Sequence, residues 1–403
     1  MLTTKDFQTI TNQYPLDSTG YIRKKYIEKL IPALNRKEIL ILKGIRRSGK
    51  TTILKQLINH LIKTGVKKQQ ILYVNFDDFN FLPHLNIDLL EFILKQLDLS
   101  SKCYLFLDEI QKIPQFESWL RTHYERETNV KFIISGSTSS LLSKELGTVL
   151  TGRNLTFEIF PFDYLEFKDC SNSSFEEFIT YGGFPEIVLE KNVETKFKLL
   201  RNYVTDIINK DIFEKNKIKD PKQFMYFTQF IFNNPGVRLS INKLSKELAI
   251  SKDTVKNYVH YMIESYLIFE VPFFSYSSKS KFIASNLPKY YVLDNGFYLV
   301  NTTRKEKSKQ TEAIIAQKFF RESKEIFYWK GQNEVDFVIN NNAYNVVSSN
   351  DIPDREFVGL KEISKRFKHV KKLNILCKES NSSKDDINIL EIENFLSKFN
   401  KLI

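Results

Sequence analysis

The sequence has few of the residues that build disulfide or zinc sites. Its three cysteines, Cys103, Cys170 and Cys377, lie far apart, and no two of them form a C-x-x-C motif. Its five histidines are scattered and show no H-E-x-x-H spacing. We therefore expect neither a disulfide framework nor a zinc centre.

Long hydrophobic runs are also lacking. No apolar stretch approaches the roughly 20 residues that span a bilayer, and polar sequence follows Met1 where a secretion signal would have its apolar segment. The sequence therefore predicts a soluble, cytoplasmic protein without a membrane segment. Hydrophobic residues make up 42% of the 403 residues, which is enough for packed cores, and the length is typical of roughly two or three domains.

Negative charge is in deficit. The chain has 48 acidic and 60 basic side chains, so its formal net charge is +12. A basic excess of this size favours contact with a polyanion such as DNA. It is equally typical of a Lys-rich proteome in which the excess has no nucleic-acid role, and composition alone does not separate the two.

Continuous apolar strands alternate with amphipathic helices in the first 160 residues or so. This pattern predicts an α/β fold with a mostly parallel sheet covered on both faces. The predicted strands are Glu38–Lys43, Ile71–Phe76, Cys103–Leu107, Val130–Ser135 and Leu155–Phe160, and the helices between them are Thr52–Ile62, Leu89–Leu97 and Phe116–Tyr124.

A phosphate-binding motif stands between the first strand and the helix that follows it. Residues Gly44 to Thr51 fit G-x-x-x-x-G-K-[ST], and the strand–loop–helix context is the one that a P-loop requires. Such a loop turns backbone N–H groups and a helix N-terminus towards phosphate oxygens. We predict that a nucleoside triphosphate and Mg²⁺ bind here, with Lys50 at the β- and γ-phosphates and the Thr51 hydroxyl on Mg²⁺. The predicted nucleotide-binding residues are Gly44, Arg46, Arg47, Ser48, Gly49, Lys50, Thr51 and Thr52.

Two carboxylates end the third strand, at the edge where α/β sheets bind ligands. Asp108 is predicted to hold Mg²⁺, and Glu109 to polarise the attacking water as a general base. Because a base is supplied in place, the pair predicts hydrolysis. Ser137, after the fourth strand, has two interpretations: a hydrogen bond to the γ-phosphate or the water, or the N-cap of a helix predicted at Leu141–Leu146.

Taken together, these motifs resemble AAA-like P-loop ATPases of archaea and bacteria, and more closely a mostly uncharacterised subfamily. The resemblance rests on Gly44–Thr51, Leu107–Gln111, Ser135–Ser137, Thr151–Arg153 and Gly182–Glu186 and extends over nearly the whole chain. It implies ATP binding. It also implies either of two roles for the arginine of Thr-Gly-Arg: stabilising phosphate charge, in cis or from a neighbouring subunit, or a salt bridge that supports the last strand.

Helical segments dominate after residue 162 and give way to a winged helix-turn-helix pattern. Ser240–Leu248 and Lys252–Tyr266 are predicted to form its two helices, and Ile268–Tyr276 its strands. The second helix would face outward with the polar residues Lys252, Lys256, Asn257 and His260. Such a module either contacts DNA or only packs against its neighbours.

The C-terminal segment resembles a PD-(D/E)xK nuclease fold. The resemblance assigns metal-binding carboxylates to Glu312 and Asp336, while Asn345 and Val347 stand where the family has an acid and a lysine. Two-metal hydrolysis needs clustered carboxylates and a cation. We therefore expect the fold to be retained and cleavage to be lost.

These patterns divide the chain into an ATPase domain (1–162), a helical lid (163–232), a winged helix (233–276) and a nuclease-like domain (277–403). The leading hypothesis is a Mg-dependent ATPase that couples hydrolysis to domain movement. One alternative is an ATP-sensing nucleic-acid-binding regulator or defence protein; another is an ATPase that acts on a protein partner through aromatic strands at Phe269–Tyr276. The oligomeric state stays open.

Overall fold

The computed structural model describes residues 19–126, 129–137, 149–275, 287–301, 306–323 and 325–398. The chain divides into two compact units, one up to Phe160 and one from Pro161. The helix predicted at Leu141–Leu146 lies outside the described residues, and so does the polar run Ser277–Lys281, whose sequence predicts an exposed loop. The finer division into four domains stays a prediction.

The first unit contains a parallel sheet with helices on both faces. Its strands are β1 (Ile39–Gly44), β2 (Ile71–Asn75), β3 (Cys103–Asp108), β4 (Val130–Ser137) and β5 (Asn154–Glu158). Its helices are α1 (Lys24–Leu34), α2 (Lys50–Lys63), α3 (Ile87–Leu94) and α4 (Phe116–Glu125). The strand order is β2-β3-β4-β1-β5, and every neighbouring pair is parallel. The predicted α/β fold with a parallel sheet is confirmed.

The inner strands β1, β3 and β4 are mostly apolar because both of their faces are buried. Side chains alternate between faces along a strand. In β1, Ile39 and Ile41 pack in one core cluster, whereas Leu40 and Leu42 pack in the other. Helix α3 starts earlier than its apolar pattern predicted, because the side chain of Asn86 accepts a hydrogen bond from the N–H of Leu89 and caps the helix there. It also ends earlier than predicted, at Leu94.

The second unit begins with helices. These are α5 (Tyr164–Ser171), α6 (Phe175–Tyr181), α7 (Pro185–Leu189), α8 (Val193–Asp206) and α9 (Pro221–Asn233), with a π-helical segment at Ile207–Phe213. The Gly-Gly-Phe-Pro motif lies before α7, where the buried carboxylate of Asp294 accepts hydrogen bonds from the N–H groups of Gly183 (2.8 Å) and Gly296 (2.9 Å). The motif therefore joins two parts of the second unit that are distant in sequence.

Two helices joined by a short turn follow, α10 (Ile241–Glu247) and α11 (Lys252–Glu264), and then an antiparallel pair, β6 (Ile268–Val271) and β7 (Lys289–Val292). Strand β6 ends well before Tyr276, so its predicted length is wrong. The physical reason is Pro272, which has no N–H to donate to a strand ladder.

The rest of the unit is a mixed sheet with flanking helices. The strands are β8 (Phe327–Lys330), β9 (Glu334–Ile339), β10 (Asn342–Val346), β11 (Lys372–Cys377), β12 (Ser382–Lys384) and β13 (Ile387–Glu391), in the order β12-β13-β11-β10-β9-β8. The helices are α12 (Gly296–Asn301), α13 (Lys307–Glu322), α14 (Asp354–Arg366) and α15 (Ile392–Lys398). Within the described residues, every helix is too short or too polar to cross a membrane.

Candidate functional site

The P-loop leaves β1 at the carboxyl edge of the sheet and enters α2 at Lys50. Gly44 is required at the start of the loop, because a Cβ there would overlap the carbonyl oxygen of Ile159. The ammonium group of Lys50, whose side chain is buried, donates to the carbonyl oxygens of Gly44 and Ile45, at 3.1 Å each. The loop thus closes around its own lysine and holds a cation at the sheet edge.

The remaining residues of the loop differ in exposure. Arg47 is exposed and has a left-handed backbone, with φ of 65°. Arg46, Gly49, Thr51 and Thr52 are half-buried. Ser48 is buried, and its hydroxyl oxygen has no hydrogen-bond partner among the described residues. Leaving a buried hydroxyl without a hydrogen bond costs free energy, so a polar ligand that bonds to Ser48 would stabilise this loop.

Asp108 lies at the end of β3, fully buried, and hydroxyl groups bond both oxygens of its carboxylate. Thr51 Oγ1 donates to Oδ2 at 2.7 Å, and the Tyr73 hydroxyl donates to the same oxygen at 2.9 Å. Ser135 Oγ, on β4, donates to Oδ1. Side chains from the two strands that flank β3 and from the P-loop helix therefore converge on this carboxylate.

Tyr73 is held in its donor form. Burial, followed by the charge of Asp108, raises the pKa of the phenol well above its usual value. The proton consequently stays on Tyr73, and Asp108 accepts. Such a partner orients a carboxylate that binds a metal ion.

Glu109 directly follows β3 and turns the chain away from the sheet. Its φ is 57°, in the left-handed region, which is uncommon outside glycine and asparagine. Its N–H donates to Ser135 Oγ at 3.4 Å, and its carboxylate accepts a hydrogen bond from the Gln111 side chain. The half-buried carboxylate therefore stands at the same edge of the sheet as Asp108.

Ser137 ends β4 in register with Gly44 of β1, and it is 1% exposed. The structure therefore places it beside the first residue of the P-loop. The helix that it would cap in the other interpretation lies outside the described residues.

Arg153 lies at the opposite edge of the sheet. Its carbonyl oxygen accepts from the N–H of Ile39, at the beginning of β1, five residues before Gly44. At about 3.3 Å per residue it lies roughly 16 Å along the strand from the P-loop. Its guanidinium pairs with Glu125 at 3.0 Å. The salt-bridge interpretation describes the contacts that Arg153 makes here. A role at the phosphates, in cis or from a neighbouring subunit, stays a prediction.

The P-loop residues fit a nucleotide with Mg²⁺. Thr51 and Asp108 offer a hydroxyl and carboxylate oxygens, which are ligands that Mg²⁺ prefers. Lys50 offers positive charge, and the unpaired hydroxyl of Ser48 lies within the loop. Lys50, Thr51, Asp108, Glu109 and Ser137 all belong to one edge of the sheet.

The sequence pattern missed Tyr73 and Ser135 as supports of Asp108. The available signal is a polar side chain near the end of a mostly apolar strand that lies next to β3 in the sheet. That signal can be used only when the strand order is known, because β2 and β4 flank β3 in the sheet.

In the second unit, the two carboxylates that the nuclease resemblance assigned to metal binding, Glu312 and Asp336, lie next to a lysine. Glu312 Oε1 lies 3.2 Å from Lys289 Nζ, and Asp336 Oδ1 lies 3.8 Å from it. Asn345 Oδ1 accepts from the N–H of Asp336 at 3.1 Å, while Val347 packs in an apolar cluster. No sequence motif indicated Lys289, which lies on β7.

Comparison with known families identifies the first unit. The model of an AAA domain matches residues 36–168, and that of a domain of unknown function matches residues 172–308. A solved structure, the Walker-type ATPase PABY2304 of Pyrococcus abyssi, is similar at 15% identity and a TM-score of 0.45, over 70% of this chain and 95% of that one. At that level the likeness adds nothing about function.

Two curated relatives are similar over most of their length. An uncharacterized protein of Haemophilus influenzae is 26% identical over 78% of this chain and 83% of its own. The uncharacterized protein MJ1544 of Methanocaldococcus jannaschii is 32% identical over 77% of this chain and 73% of its own. The chain therefore belongs to the same family as MJ1544, and within it residues 36–168 form an AAA domain.

Proposed function

We propose that this chain is a Mg²⁺-dependent ATPase. The observation that carries the proposal is the 2.7 Å hydrogen bond between Thr51 Oγ1 and Asp108 Oδ2. It brings together the P-loop hydroxyl and the strand-end carboxylate, which P-loop enzymes use on one Mg²⁺. Two supporting bonds, from Tyr73 and Ser135, hold the carboxylate in place.

The residues divide the work of hydrolysis. Lys50 would hold the β- and γ-phosphates, and the loop N–H groups would bind their oxygens. Thr51 and Asp108 would hold Mg²⁺, which supplies charge neutralisation at the phosphates when it is bound. Glu109 accepts the proton of the attacking water at its carboxylate, and Ser137 orients that water or the γ-phosphate. We also infer that the nucleotide state moves the part of the chain after residue 162.

A paired substitution tests the proposal in the full-length chain. Lys50→Ala should lose both ATP binding and turnover, whereas Glu109→Gln should bind ATP and lose turnover. Lys63→Ala is the matched control, since Lys63 is an exposed lysine on the same helix. Phosphate release and binding of a fluorescent ATP analogue are measured side by side. ATP turnover that persists in purified Lys50→Ala protein would remove the assignment.

Nucleic-acid binding is a second candidate, supported by one stretch of surface. Between residues 365 and 372 six basic or imidazole side chains are exposed: Lys365, Arg366, Lys368, His369, Lys371 and Lys372. The outward face of α11 supports binding less well. There Lys256 pairs with Asp253 at 3.5 Å and His260 with Glu264 at 3.2 Å, so part of its positive charge is balanced.

A salt series tests this second candidate. DNA affinity should fall steeply between about 50 and 200 mM salt, because phosphate contacts release counterions. Replacing Lys365, Lys368 and Lys371 with glutamate should weaken binding more than replacing Lys252 and Lys256 does. ATP turnover is measured with and without DNA in the same samples. Undetectable binding at low salt would count decisively against this function.

A further inference from the structure

A lysine stands at the centre of three carboxylates in the second unit. Lys289 is 3% exposed, and its Nζ lies 2.7 Å from Glu334 Oε1, 3.2 Å from Glu312 Oε1 and 3.8 Å from Asp336 Oδ1. The carboxylates come from α13 and β9. Helix and strand thus direct their acidic groups at one ammonium ion.

Further bonds fix the carboxylates in these positions. The Tyr291 hydroxyl donates to Glu312 Oε1 at 2.6 Å, and the N–H of Val346 donates to Asp336 Oδ2 at 2.9 Å. The ring of Tyr328 lies 5.5 Å from Lys289 Nζ, a distance at which a cation is attracted to an aromatic face. The centre is therefore built around a positive charge.

The positive charge of Lys289 and the surrounding carboxylates stabilise one another. Burial alone would lower the pKa of Lys289, but the charges of Glu312, Asp336 and Glu334 outweigh it, so this pKa is raised. The three carboxylates are half-buried. Carboxylates this close repel one another, and a cation between them offsets that repulsion.

The centre does not have the form of a metal site. Within the described residues no group of three or more His, Cys, Asp or Glu side chains is arranged to hold a metal ion. Mg²⁺ binds oxygen ligands at about 2.0–2.1 Å. The oxygen atoms here stand at 2.7–3.8 Å from a nitrogen atom, which suits an ammonium ion.

We propose that Lys289 is a built-in cation that takes the place of a divalent metal ion between Glu312, Glu334 and Asp336. The wild-type centre consequently binds no Mg²⁺ or Mn²⁺, and removing the lysine side chain creates a site for such a hard cation. The proposal does not rest on ATPase activity. It restricts any Mg²⁺ dependence of the protein to the P-loop unit.

Mn²⁺ binding to the full-length, nucleotide-free chain tests the proposal by electron paramagnetic resonance. Lys289→Ala should gain one bound Mn²⁺ relative to wild type, and Lys289→Ala with Asp336→Asn should lose it again. Lys289→Met is the matched control, since it removes the charge but fills the space, and it should gain none. The unfolding temperature of Lys289→Ala should rise with Mn²⁺, while that of Lys289→Met should not.

If Lys289→Ala does not fold, variants that keep Lys289 provide an independent test by Mn²⁺ binding. Asp336→Asn and Glu312→Gln in the wild-type background should leave Mn²⁺ binding unchanged. Loss of a bound Mn²⁺ in either variant would overturn the proposal, because the carboxylates would then hold metal with the lysine in place. A folded Lys289→Ala protein that gains no Mn²⁺ would overturn it as well.

Discussion

The P-loop site and the carboxylate centre each contain a buried lysine, and the two ammonium groups bond to different acceptors. Lys50 Nζ donates to the carbonyl oxygens of Gly44 and Ile45. Lys289 Nζ lies against the carboxylates of Glu312 and Glu334. A carbonyl accepts a hydrogen bond without carrying a net charge, whereas a carboxylate also balances the charge of the donor. The first arrangement suits an anionic ligand, and the second suits an internal ion cluster.

A third buried lysine extends the comparison. Lys131 Nζ donates to the carbonyl oxygens of Arg36 (3.0 Å) and Glu38. Burial lowers the pKa of Lys131 to about 8, whereas the three carboxylates around Lys289 raise its pKa despite burial. The type of acceptor therefore decides whether a buried lysine holds its proton tightly.

The largest expected effect separates the two sites by activity. Lys50→Met should reduce ATP turnover by about 100-fold or more, since it removes positive charge that stabilises phosphoryl transfer. Lys289→Met should leave turnover of the folded protein within a factor of about two, since Lys289 belongs to the other unit and pairs with carboxylates of that unit. Phosphate release measures both variants. If both variants lost turnover equally, the two buried lysines would not differ in their role in ATP hydrolysis.

The order of the two variants should be reversed for stability: Lys289→Met should destabilise the fold more than Lys50→Met does. Lys289→Met takes the central cation from Glu312 and Asp336, while Glu334 keeps Arg238 and Lys330 as partners. Breaking a fully buried ion pair costs about 3–5 kcal/mol of unfolding free energy, and the half-buried carboxylates place the expected cost at the lower end of that range. Lys50→Met leaves only neutral carbonyl acceptors behind and should cost much less. Urea denaturation followed by circular dichroism measures the difference. A Lys289→Met protein as stable as wild type would contradict the ion-cluster interpretation.

Removing one support of Asp108 should have an intermediate effect. Tyr73→Phe deletes the hydroxyl that donates to Asp108 Oδ2 at 2.9 Å. Loss of a partner that orients a metal ligand should raise the Mg²⁺ concentration for half-maximal turnover by about 10-fold. Tyr104→Phe is the control, because Tyr104 packs in the core on the adjacent strand β3. Equal Mg²⁺ titrations for both variants would show that Tyr73 does not position Asp108.

The pH dependence of stability should show the lowered pKa of Lys131. Between about pH 8 and pH 10 the unfolded chain keeps a proton on Lys131 that the folded chain has released, so stability rises with pH. Wild type should therefore gain roughly 1 kcal/mol per pH unit over Lys131→Met in this window. Paired urea unfolding curves at pH 7, 8, 9 and 10 measure the gain. A constant difference between the two proteins would contradict it.

Arg153→Ala should have the smallest effect. The guanidinium lies at the sheet edge away from the P-loop and pairs with the exposed Glu125, so turnover at low protein concentration should change by less than about twofold. Turnover is then measured over a range of protein concentrations. A large loss that grows with concentration would instead reveal a role in a neighbouring subunit.

Much of the first unit follows from local sequence. The strand β1 and the motif from Gly44 to Thr51 are contiguous, and the apolar run before Asp108 predicts a buried strand. The second unit was harder to predict. Strand β12 is exposed at every residue and carries no apolar pattern, so its place in the sheet depends on pairing with β13.

The supports of the candidate site illustrate the same limit. Tyr73 and Ser135 reach Asp108 because β2 and β4 pair with β3, and that order is a property of the assembled sheet. Arg153 had two interpretations from its motif. Only the parallel register of β5 with β1 places it at the far edge.

The sequence by itself determined the phosphate loop, the parallel sheet and the carboxylates at the end of β3. A phosphate loop needs only neighbouring residues in a strand–loop–helix context, so spacing along the chain is sufficient to identify it. The tertiary structure alone decided that Lys50 bonds to carbonyl groups and Lys289 to carboxylates. The acceptors of Lys289 come from elements distant in sequence, and the character of a buried charge depends on the groups that folding brings around it.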